Sequence, residues 1–375
     1  MVPGHASHSG TARFSTRFPK LNATGHFRQP EHVPHLSHLW LSSIGIGTYL
    51  GEVDSATDQR YTEAVLAAMG NGVNVIDSAI NYRFQRSERS IGEAIKLMNV
   101  QRDELLICTK AGYLTYDGTV PADPRRYFIA EYIDTAIVSR EELVGGMHCI
   151  APSYLKNQLE RSRHNMGIET IDVFYIHNPE QQLSEVPRAI FHDRLRRAFA
   201  ALEAEAAANR IRVYGTATWN GYRQDRTAAD YLDLAQIFGI AREVGGDGHH
   251  FRAIQLPFNL GLPEAFTKEN QKIGARKVSL LTAARELGIA VIASASLLQG
   301  KLAGSLPEFI RERMASNKDA EAAIQFVRSA PGITSALVGM SRKDHVEANL
   351  RVAAKPLAKT EDWGSLFQSS NESSD

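Results

Sequence analysis

Four side chains that could carry proton-transfer chemistry follow three apolar segments of the chain. They are Asp77, Tyr82, Lys110 and His177. A free tyrosine has a pKa of about 10 and is a weak acid at neutral pH, but a nearby ammonium group lowers that pKa. The pattern therefore predicts an acid in which Lys110 lowers the pKa of Tyr82, while Asp77 keeps Lys110 charged and in place.

The reaction that such an acid serves is the reduction of a carbonyl group. Tyr82 would protonate the oxygen as a hydride reaches the carbon, and His177 would orient that oxygen by hydrogen bonding. Each residue alone has an ordinary structural explanation, since an Asp after a strand is usually a turn or cap residue and a Lys there is usually a solvated charge. Their occurrence together favours catalysis.

The segments that would position these side chains alternate between short apolar runs and amphipathic stretches. The runs that resemble strands are 45–49, 73–76, 105–109, 171–176, 213–216, 251–256, 290–293 and 333–338. The stretches with helical periodicity are 57–69, 87–97, 153–165, 194–208, 278–287 and 320–329. This alternation predicts an α/β fold with a parallel sheet covered by helices.

The number of strand segments favours a closed (β/α)8 TIM barrel. Eight units in about 320 residues suit such a barrel, whose functional residues lie where the strands end. An open, doubly wound sheet is the alternative, and periodicity does not separate the two. In a barrel, the ends of the second, third and fourth strands would bring Tyr82, Lys110 and His177 together at the mouth.

Three segments lie outside the repeat, and residues 36–359 would form the barrel. Residues 1–35 are predicted to be a polar N-terminal extension, and residues 360–375 a flexible tail. Residues 113–150 are a long insertion after the third strand. Because long loops in compact domains are often lids or binding loops, this insertion is predicted to cover the barrel mouth and to shape substrate choice.

The composition excludes several classes of protein. Lys plus Arg equals Asp plus Glu at 42 each, so neither nucleic acid nor an anionic membrane is an expected partner. Cys108 and Cys149 are the two cysteines, too few for a disulfide framework or a cysteine zinc site, and we expect a cytoplasmic protein with no metal. The first thirty residues have no apolar run typical of a signal peptide.

Several motifs resemble those of the aldo-keto reductase superfamily. They are the Gly-rich loop 45–49, the segment 75–79 with Tyr82, Ser87 and Glu88, the lysine strand 108–110, and the histidine strand 175–180. The resemblance runs, with gaps, from about residue 41 to residue 350. It implies that Tyr82 is the catalytic acid and that Asp77, Lys110 and His177 are its partners.

The resemblance also implies a nicotinamide cofactor, NADPH rather than NADH, bound across the barrel mouth without a Rossmann domain. The residues implied to bind it are Thr48, Thr218, Gln255, Ser294, Leu297, Gln299, Gly339, Ser341, Arg342 and Asn349. Gln255 would hold the carboxamide, and Arg342 would pair with the 2′-phosphate. At Ala217 and Ser294 the chain departs from the family, which usually has a polar residue and an aromatic ring there.

The predicted function is NADPH-dependent reduction of an aldehyde or ketone, or the reverse oxidation of an alcohol. The predicted walls of the substrate pocket are Tyr49, Tyr113, Asn178 and Trp219. The partner would be a small molecule, and the sequence leaves its identity and the oligomeric state open.

Two alternatives remain at this point. Lys110 could form a Schiff base in a lyase, which requires a neutral amine with a depressed pKa. The barrel could instead bind a nicotinamide cofactor as a catalytically weak sensor or regulatory subunit, which the departures at Ala217 and Ser294 would suit.

Overall fold

Eight parallel strands close into a barrel in the computed structural model, which describes residues 1–367. The strands are β1 (Ile44–Gly47), β2 (Val75–Asp77), β3 (Leu106–Ala111), β4 (Ile171–His177), β5 (Ile211–Ala217), β6 (Phe251–Pro257), β7 (Ala290–Ser294) and β8 (Ile333–Gly339). Each pairs with the next, and β8 pairs with β1 to close the ring. The predicted TIM barrel is confirmed, and the open sheet is wrong.

A helix follows each strand. These helices are α1 (Ser55–Gly70), α2 (Arg86–Leu97), α3 (Pro152–Met166), α4 (Arg188–Ala207), α5 (Leu234–Gly245), α6 (Leu280–Glu286), α7 (Asp319–Ser329) and α8 (Lys343–Leu350). Helix α1 begins where the Asp54 carboxylate accepts the Thr57 N–H at 2.7 Å. Helix α3 ends at Gly167, whose φ of +66° suits glycine.

Shorter elements lie outside the eight strands and eight helices of the barrel. Short helices and turns lie at His8–Thr16, Pro19–Asn22, Arg102–Glu104, Pro124–Phe128, Ile129–Ile133, Arg140–Glu142, Pro179–Ser184, Glu264–Thr267, Leu298–Gly300, Glu308–Arg313, Arg351–Ala354, Thr360–Gly364 and Ser365–Phe367. Two hairpins pair Phe27–Arg28 with Leu41–Ser42 and Gln271–Ile273 with Arg276–Val278. Within residues 1–367, no helix has both the length and the apolar character that crossing a bilayer requires.

The N-terminal segment closes the bottom of the barrel despite its polar composition. Val33, Leu36 and Leu39 are buried in one cluster with residues of the strands, such as Val173. Ala6 joins the same cluster, and its N–H donates to the Asp172 carboxylate at 2.7 Å. A largely polar segment therefore contributes several buried apolar side chains that pack against the strands.

The insertion 113–150 packs along the side of the barrel. Tyr132 is fully buried and its ring lies 6.0 Å from that of Tyr154 in α3. Glu131 of the insertion forms an ion pair with Arg161 of the same helix. Of the described insertion residues, Tyr113 alone lines the cleft at the barrel mouth. The insertion therefore packs against α3 and reaches the cleft through Tyr113, and its role as a lid stays a prediction.

The start of the predicted flexible tail is ordered. Residues Thr360–Gly364 form a helix, and Trp363 is fully buried, stacked at 5.2 Å on Phe326 of α7. Its indole N–H donates to the Phe326 carbonyl at 2.7 Å. The prediction of a tail is wrong here because one large aromatic side chain anchors the segment. The rest of the predicted tail, 368–375, lies outside the described residues.

Candidate active site

A cleft of about 860 Å³ opens at the carboxyl ends of the strands. All of the predicted site residues line it except Lys110 and Arg342. Those that do are Thr48, Tyr49, Asp77, Tyr82, Tyr113, His177, Asn178, Thr218, Trp219, Gln255, Ser294, Leu297, Gln299, Gly339, Ser341 and Asn349. The barrel brings them together because every strand ends at the same rim.

Lys110 lies beneath the cleft in a buried ion pair. Its Nζ donates to Asp77 Oδ2 and to the Ser78 carbonyl, both at 2.6 Å. The same ammonium lies 5.0 Å from the centre of the Tyr82 ring. Gln255 donates to the other Asp77 oxygen at 2.8 Å, so the carboxylate is held from two sides. Asp77 thus fixes the ammonium under the phenol.

The charges of this group follow from burial and contact. Burial alone would lower the pKa of Lys110, but contact with the Asp77 carboxylate and the nearby Tyr82 raises it above its usual value. Burial also raises the pKa of Tyr82, and the Lys110 ammonium offsets only part of that rise. The Lys110 ammonium thus acts in the predicted direction on the pKa of Tyr82, but burial outweighs it. Tyr82 holds its proton at neutral pH and is available as a donor.

His177 completes the group of possible catalytic residues. Its ring lies 5.9 Å from the Tyr82 ring, measured between centres. Burial, the Lys110 charge and His148 hold its pKa well below the usual value. The imidazole is therefore neutral at neutral pH. A neutral ring can donate one hydrogen bond to a carbonyl oxygen without bringing a second positive charge to the site.

His177 is supported by His148, which the sequence did not reveal. His148 Nε2 lies 2.8 Å from the His177 carbonyl, and Gln182 donates to His148 Nδ1 at 2.7 Å. Gln182 in turn accepts from Arg194 at 2.5 Å. These contacts place the His148 proton on Nε2. The approach requires Gly112, because a Cβ there would lie 2.4 Å from the His177 carbonyl.

The residues predicted to form the walls of the substrate pocket line the same cleft as Tyr82. Tyr49 packs edge-on against Tyr82 with ring centres 4.9 Å apart. Asn178 donates to the Tyr113 hydroxyl at 3.0 Å. Tyr49 and Trp219 keep 55% and 43% of their surface exposed, which leaves aromatic area for a ligand at the rim.

Glu180 fixes the loop that carries Trp219, a role that the sequence did not reveal. Its Oε1 accepts the backbone N–H groups of Trp219, Asn220 and Gly221 at 2.8, 3.1 and 3.3 Å. Burial raises the pKa of this carboxyl, and the backbone donors offset part of the rise. One side chain just after β4 thereby holds the loop that follows β5 at the rim of the cleft.

Several buried polar atoms in the cleft have no partner within the described part of the chain. They are Asn81 Oδ1, His177 Nδ1, Thr218 Oγ1 and Ser296 Oγ. Buried polar atoms are normally hydrogen-bonded, so a set gathered in one cleft indicates a polar ligand. Asn81 and Ser296 were not predicted, although each lies next to a predicted residue. Ala217 and Ser294 line the cleft without the usual polar and aromatic groups.

Arg342 lies outside the cleft lining. Its guanidinium binds the Asp344 carboxylate through two contacts of 3.0 and 2.6 Å. Both side chains are more than half exposed. An exposed pair of this kind is weak, so a stronger anion can displace the aspartate.

The chain is similar in sequence to a curated protein of another organism. A Schizosaccharomyces pombe protein that carries the name of a voltage-gated potassium channel subunit beta is 27% identical over 247 residues, 60% of this chain and 64% of its own length. The matched part therefore spans less than two thirds of that curated relative.

Solved structures share the fold over almost the whole chain. The glycerol dehydrogenase AKR11B4 of Gluconobacter oxydans has a TM-score of 0.63 at 18% identity, covering 92% of this chain and 94% of its own. An aldo/keto reductase from Klebsiella pneumoniae in complex with NADP and acetate has a TM-score of 0.59 at 18% identity, covering 88% and 91%.

The family of the chain follows from a match along most of its length. The model of the Aldo/keto reductase family matches residues 43–368, which include every strand of the barrel and every predicted site residue. The chain belongs to the aldo/keto reductase family.

Proposed function

We propose that this protein reduces an aldehyde or ketone with NADPH, or oxidises the corresponding alcohol, with Tyr82 as the general acid. The observation that carries the proposal is the contact between Tyr82 and a buried, charged Lys110 at the base of the cleft, with neutral His177 beside it.

The cleft fits a nicotinamide dinucleotide. Its volume lies within the range of about 300–1,000 Å³ that is typical of ligand and cofactor sites. Thr218 and Ser296 offer buried hydroxyl groups without partners at the rim. The residues that would hold the cofactor are Thr48, Thr218, Gln255, Ser294, Leu297, Gln299, Gly339, Ser341 and Asn349. When bound, such a cofactor supplies the hydride.

The residues of the chain supply the proton and the orientation. Tyr82 gives its proton to the carbonyl oxygen, and Lys110 stabilises the phenolate that remains because Asp77 keeps the ammonium charged. His177 donates a hydrogen bond to the same oxygen and so limits its position. In the reverse direction the phenolate of Tyr82 removes the proton of the alcohol.

A preference for NADPH would depend on Arg342. A 2′-phosphate binds a guanidinium through charged, bidentate hydrogen bonds, which are stronger than an exposed carboxylate pair. We propose that the phosphate takes the place of Asp344 on Arg342. We further propose a small-molecule substrate and a cytoplasmic location, which the two buried, unpaired thiols of Cys108 and Cys149 support.

The contacts of Lys110 argue against a Schiff-base lyase. Its amine is fully buried, and the Asp77 carboxylate raises its pKa, whereas a nucleophilic lysine needs a depressed one. A nicotinamide sensor would need no acid, and a buried Lys–Asp pair under Tyr82 would then serve no purpose.

A turnover assay separates these functions. The purified chain is mixed with NADPH or NADH and a panel of aldehydes and ketones, and oxidation of the cofactor is followed by its absorbance. We expect turnover with NADPH that exceeds that with NADH. Tight binding of NADPH without oxidation across the panel would indicate a sensor. Covalent trapping of a carbonyl on Lys110 by borohydride would indicate a lyase.

A further inference from the structure

The backbone that follows Tyr82 is unusual. Arg83, Phe84 and Gln85 have φ values of +49°, +54° and +74°, so three successive residues with side chains adopt the left-handed conformation. Such residues are uncommon singly and are rarer in a row, because Cβ crowds the backbone. They persist where the surroundings over-determine the backbone, and they occur often at functional sites.

The side chain of Arg83 forms three hydrogen bonds to the loop after β1 and to the first turn of α1. Its Nε donates to the Glu52 carbonyl at 2.7 Å, and its Nη2 donates to the Asp54 carbonyl at 3.1 Å and to Asp58 Oδ1 at 2.6 Å. The side chain is 2% exposed. Arg83 thus joins the turn to the loop between β1 and α1.

That loop also forms one wall of the site. Tyr61 donates its hydroxyl to the Leu50 carbonyl, and the Arg83 guanidinium lies 5.4 Å from the Tyr61 ring. Tyr49, at the start of the loop, packs against Tyr82. Arg83 is therefore packed between the acid and the loop that covers it.

The other residues of the turn are held from the opposite side. Gln85 donates to the Tyr116 carbonyl at 2.9 Å, and the Phe84 carbonyl accepts the Gly118 N–H at 2.9 Å. The Phe84 ring packs edge-on against Tyr116 with centres 5.1 Å apart. Two elements, the insertion and the loop after β1, therefore hold this turn from opposite sides.

We propose that Arg83 is a positioning residue that holds the left-handed turn and thereby fixes the direction of the Tyr82 hydroxyl. The inference rests on the proposed role of Tyr82 as acid. Without the guanidinium, the turn is free to adopt right-handed backbone conformations, and Tyr82 moves relative to Lys110. The proton-transfer step is slowed, while most of the cofactor residues, from Thr218 to Asn349, lie on loops to which Arg83 does not bond.

Kinetics of Arg83 variants test this. Because a small displacement of a catalytic group costs up to about 100-fold in rate, Arg83→Met is expected to lower kcat about 10- to 100-fold. The Kd for NADPH is expected to change less than about twofold, and Arg83→Lys should recover part of the rate since an ammonium can still reach the carbonyls. The matched control is Arg86→Met, which removes the other arginine bound to Asp58 but lies in α2. Equal losses in the two Met variants, or none in Arg83→Met, would overturn the proposal.

Arg83→Gly separates the effect of losing the guanidinium contacts from the effect of the left-handed backbone conformation. Glycine adopts the left-handed conformation freely but lacks the guanidinium. We expect this variant to remain slower than the wild type, and full wild-type kcat would contradict a positioning role for the side chain.

A spectroscopic readout does not depend on turnover. The chain is labelled with 3-fluorotyrosine, and the fluorine resonance of Tyr82 is assigned by its loss in Tyr82→Phe. In Arg83→Met this resonance should shift or broaden, while that of Tyr214, which packs against Phe199 of α4, stays in place. If the wild type does not reduce carbonyls, the proposed function fails and this spectrum still decides the inference. An unchanged Tyr82 resonance overturns it, and Arg83→Lys is measured in the same way if Arg83→Met does not fold.

Discussion

At the scale of single residues, the Lys110–Asp77 pair is the feature that stability alone explains least. Both side chains are almost completely buried, and their contact is 2.6 Å. Desolvating two charges often outweighs their attraction, so a buried pair of this kind adds little to stability. A charged lysine beneath a tyrosine acid has instead a chemical use. The pair is better explained by the reaction than by the fold.

Substitutions at this pair should separate stability from activity. Asp77→Asn leaves the Lys110 ammonium buried without its counter-charge, and we expect a loss of about 3–5 kcal/mol in the free energy of unfolding. The double variant Asp77→Asn/Lys110→Met removes both charges, so stability should recover largely while turnover stays low. Urea denaturation and NADPH oxidation measure the two quantities. Full stability of Asp77→Asn would contradict an uncompensated charge.

The four possible catalytic residues were predictable because Asp77, Lys110 and His177 directly follow apolar runs of strand length and Tyr82 stands five residues beyond Asp77. Glu180 and His148 were not, although Glu180 stands three residues after His177. Their roles depend on which backbone groups of another loop come within reach, and one sequence does not contain that geometry. The left-handed turn at Arg83 could not be predicted either, because residues with side chains ordinarily avoid positive φ values.

At the scale of elements, strands were more predictable than the segments between them. β-Branched, apolar runs mark strands buried on both sides, so β4 was predicted to within one residue and β6 likewise. Helix α5 was missed because it follows a long irregular loop and contains Gly239. The first residue of the predicted helix 278–287, Val278, belongs instead to the strand Arg276–Val278, whose pairing depends on a partner strand.

The rim loop beyond β5 offers a test at this scale. Glu180→Ala leaves three backbone N–H groups without their acceptor, and a buried donor left unpaired costs about 1–3 kcal/mol. We expect lower stability and a higher KM for the carbonyl substrate, because Trp219 loses its fixed position. Thermal unfolding and steady-state kinetics measure the two effects.

Two further variants control this experiment. Glu180→Gln keeps an oxygen acceptor and should restore most of the stability. Glu185→Ala removes an exposed carboxylate that accepts from the single N–H of Gly145. If Glu185→Ala raised KM as much as Glu180→Ala, the account of the Trp219 loop would be wrong.

At the scale of the whole molecule, the segments added to the barrel contribute buried histidines. His26 of the N-terminal segment lies between Ser43 and the Gly72 carbonyl, at 3.0 and 2.9 Å. His148 of the insertion lies beneath His177. Burial lowers the pKa of His26 to about 3 and that of His148 to about 4. The folded chain therefore keeps both rings neutral in mildly acidic solution.

This burial makes stability depend on pH in a defined direction. Above the unfolded value of 6.5 both states hold neutral histidines, and these groups add no pH dependence. As the pH falls from 6.5 towards 4, the unfolded chain binds protons that the folded chain does not, so stability is lost. Each group contributes about 1.4 kcal/mol per pH unit once its unfolded form is protonated.

Urea denaturation across this range measures the slope. His148→Asn should flatten it by about the share of one group. A slope that did not differ between His148→Asn and the wild type would mean that the buried ring is not kept neutral.

The most direct measurement is single-turnover reduction by Tyr82→Phe with bound NADPH. Removing one hydroxyl leaves the cleft and the cofactor residues in place, so the Kd for NADPH should stay near the wild-type value. The rate should fall by about 100- to 10,000-fold, the usual contribution of a general acid. Tyr127→Phe, in the insertion and outside the cleft, should keep the normal rate. A Tyr82→Phe enzyme that reduces its substrate as fast as the wild type would contradict the account.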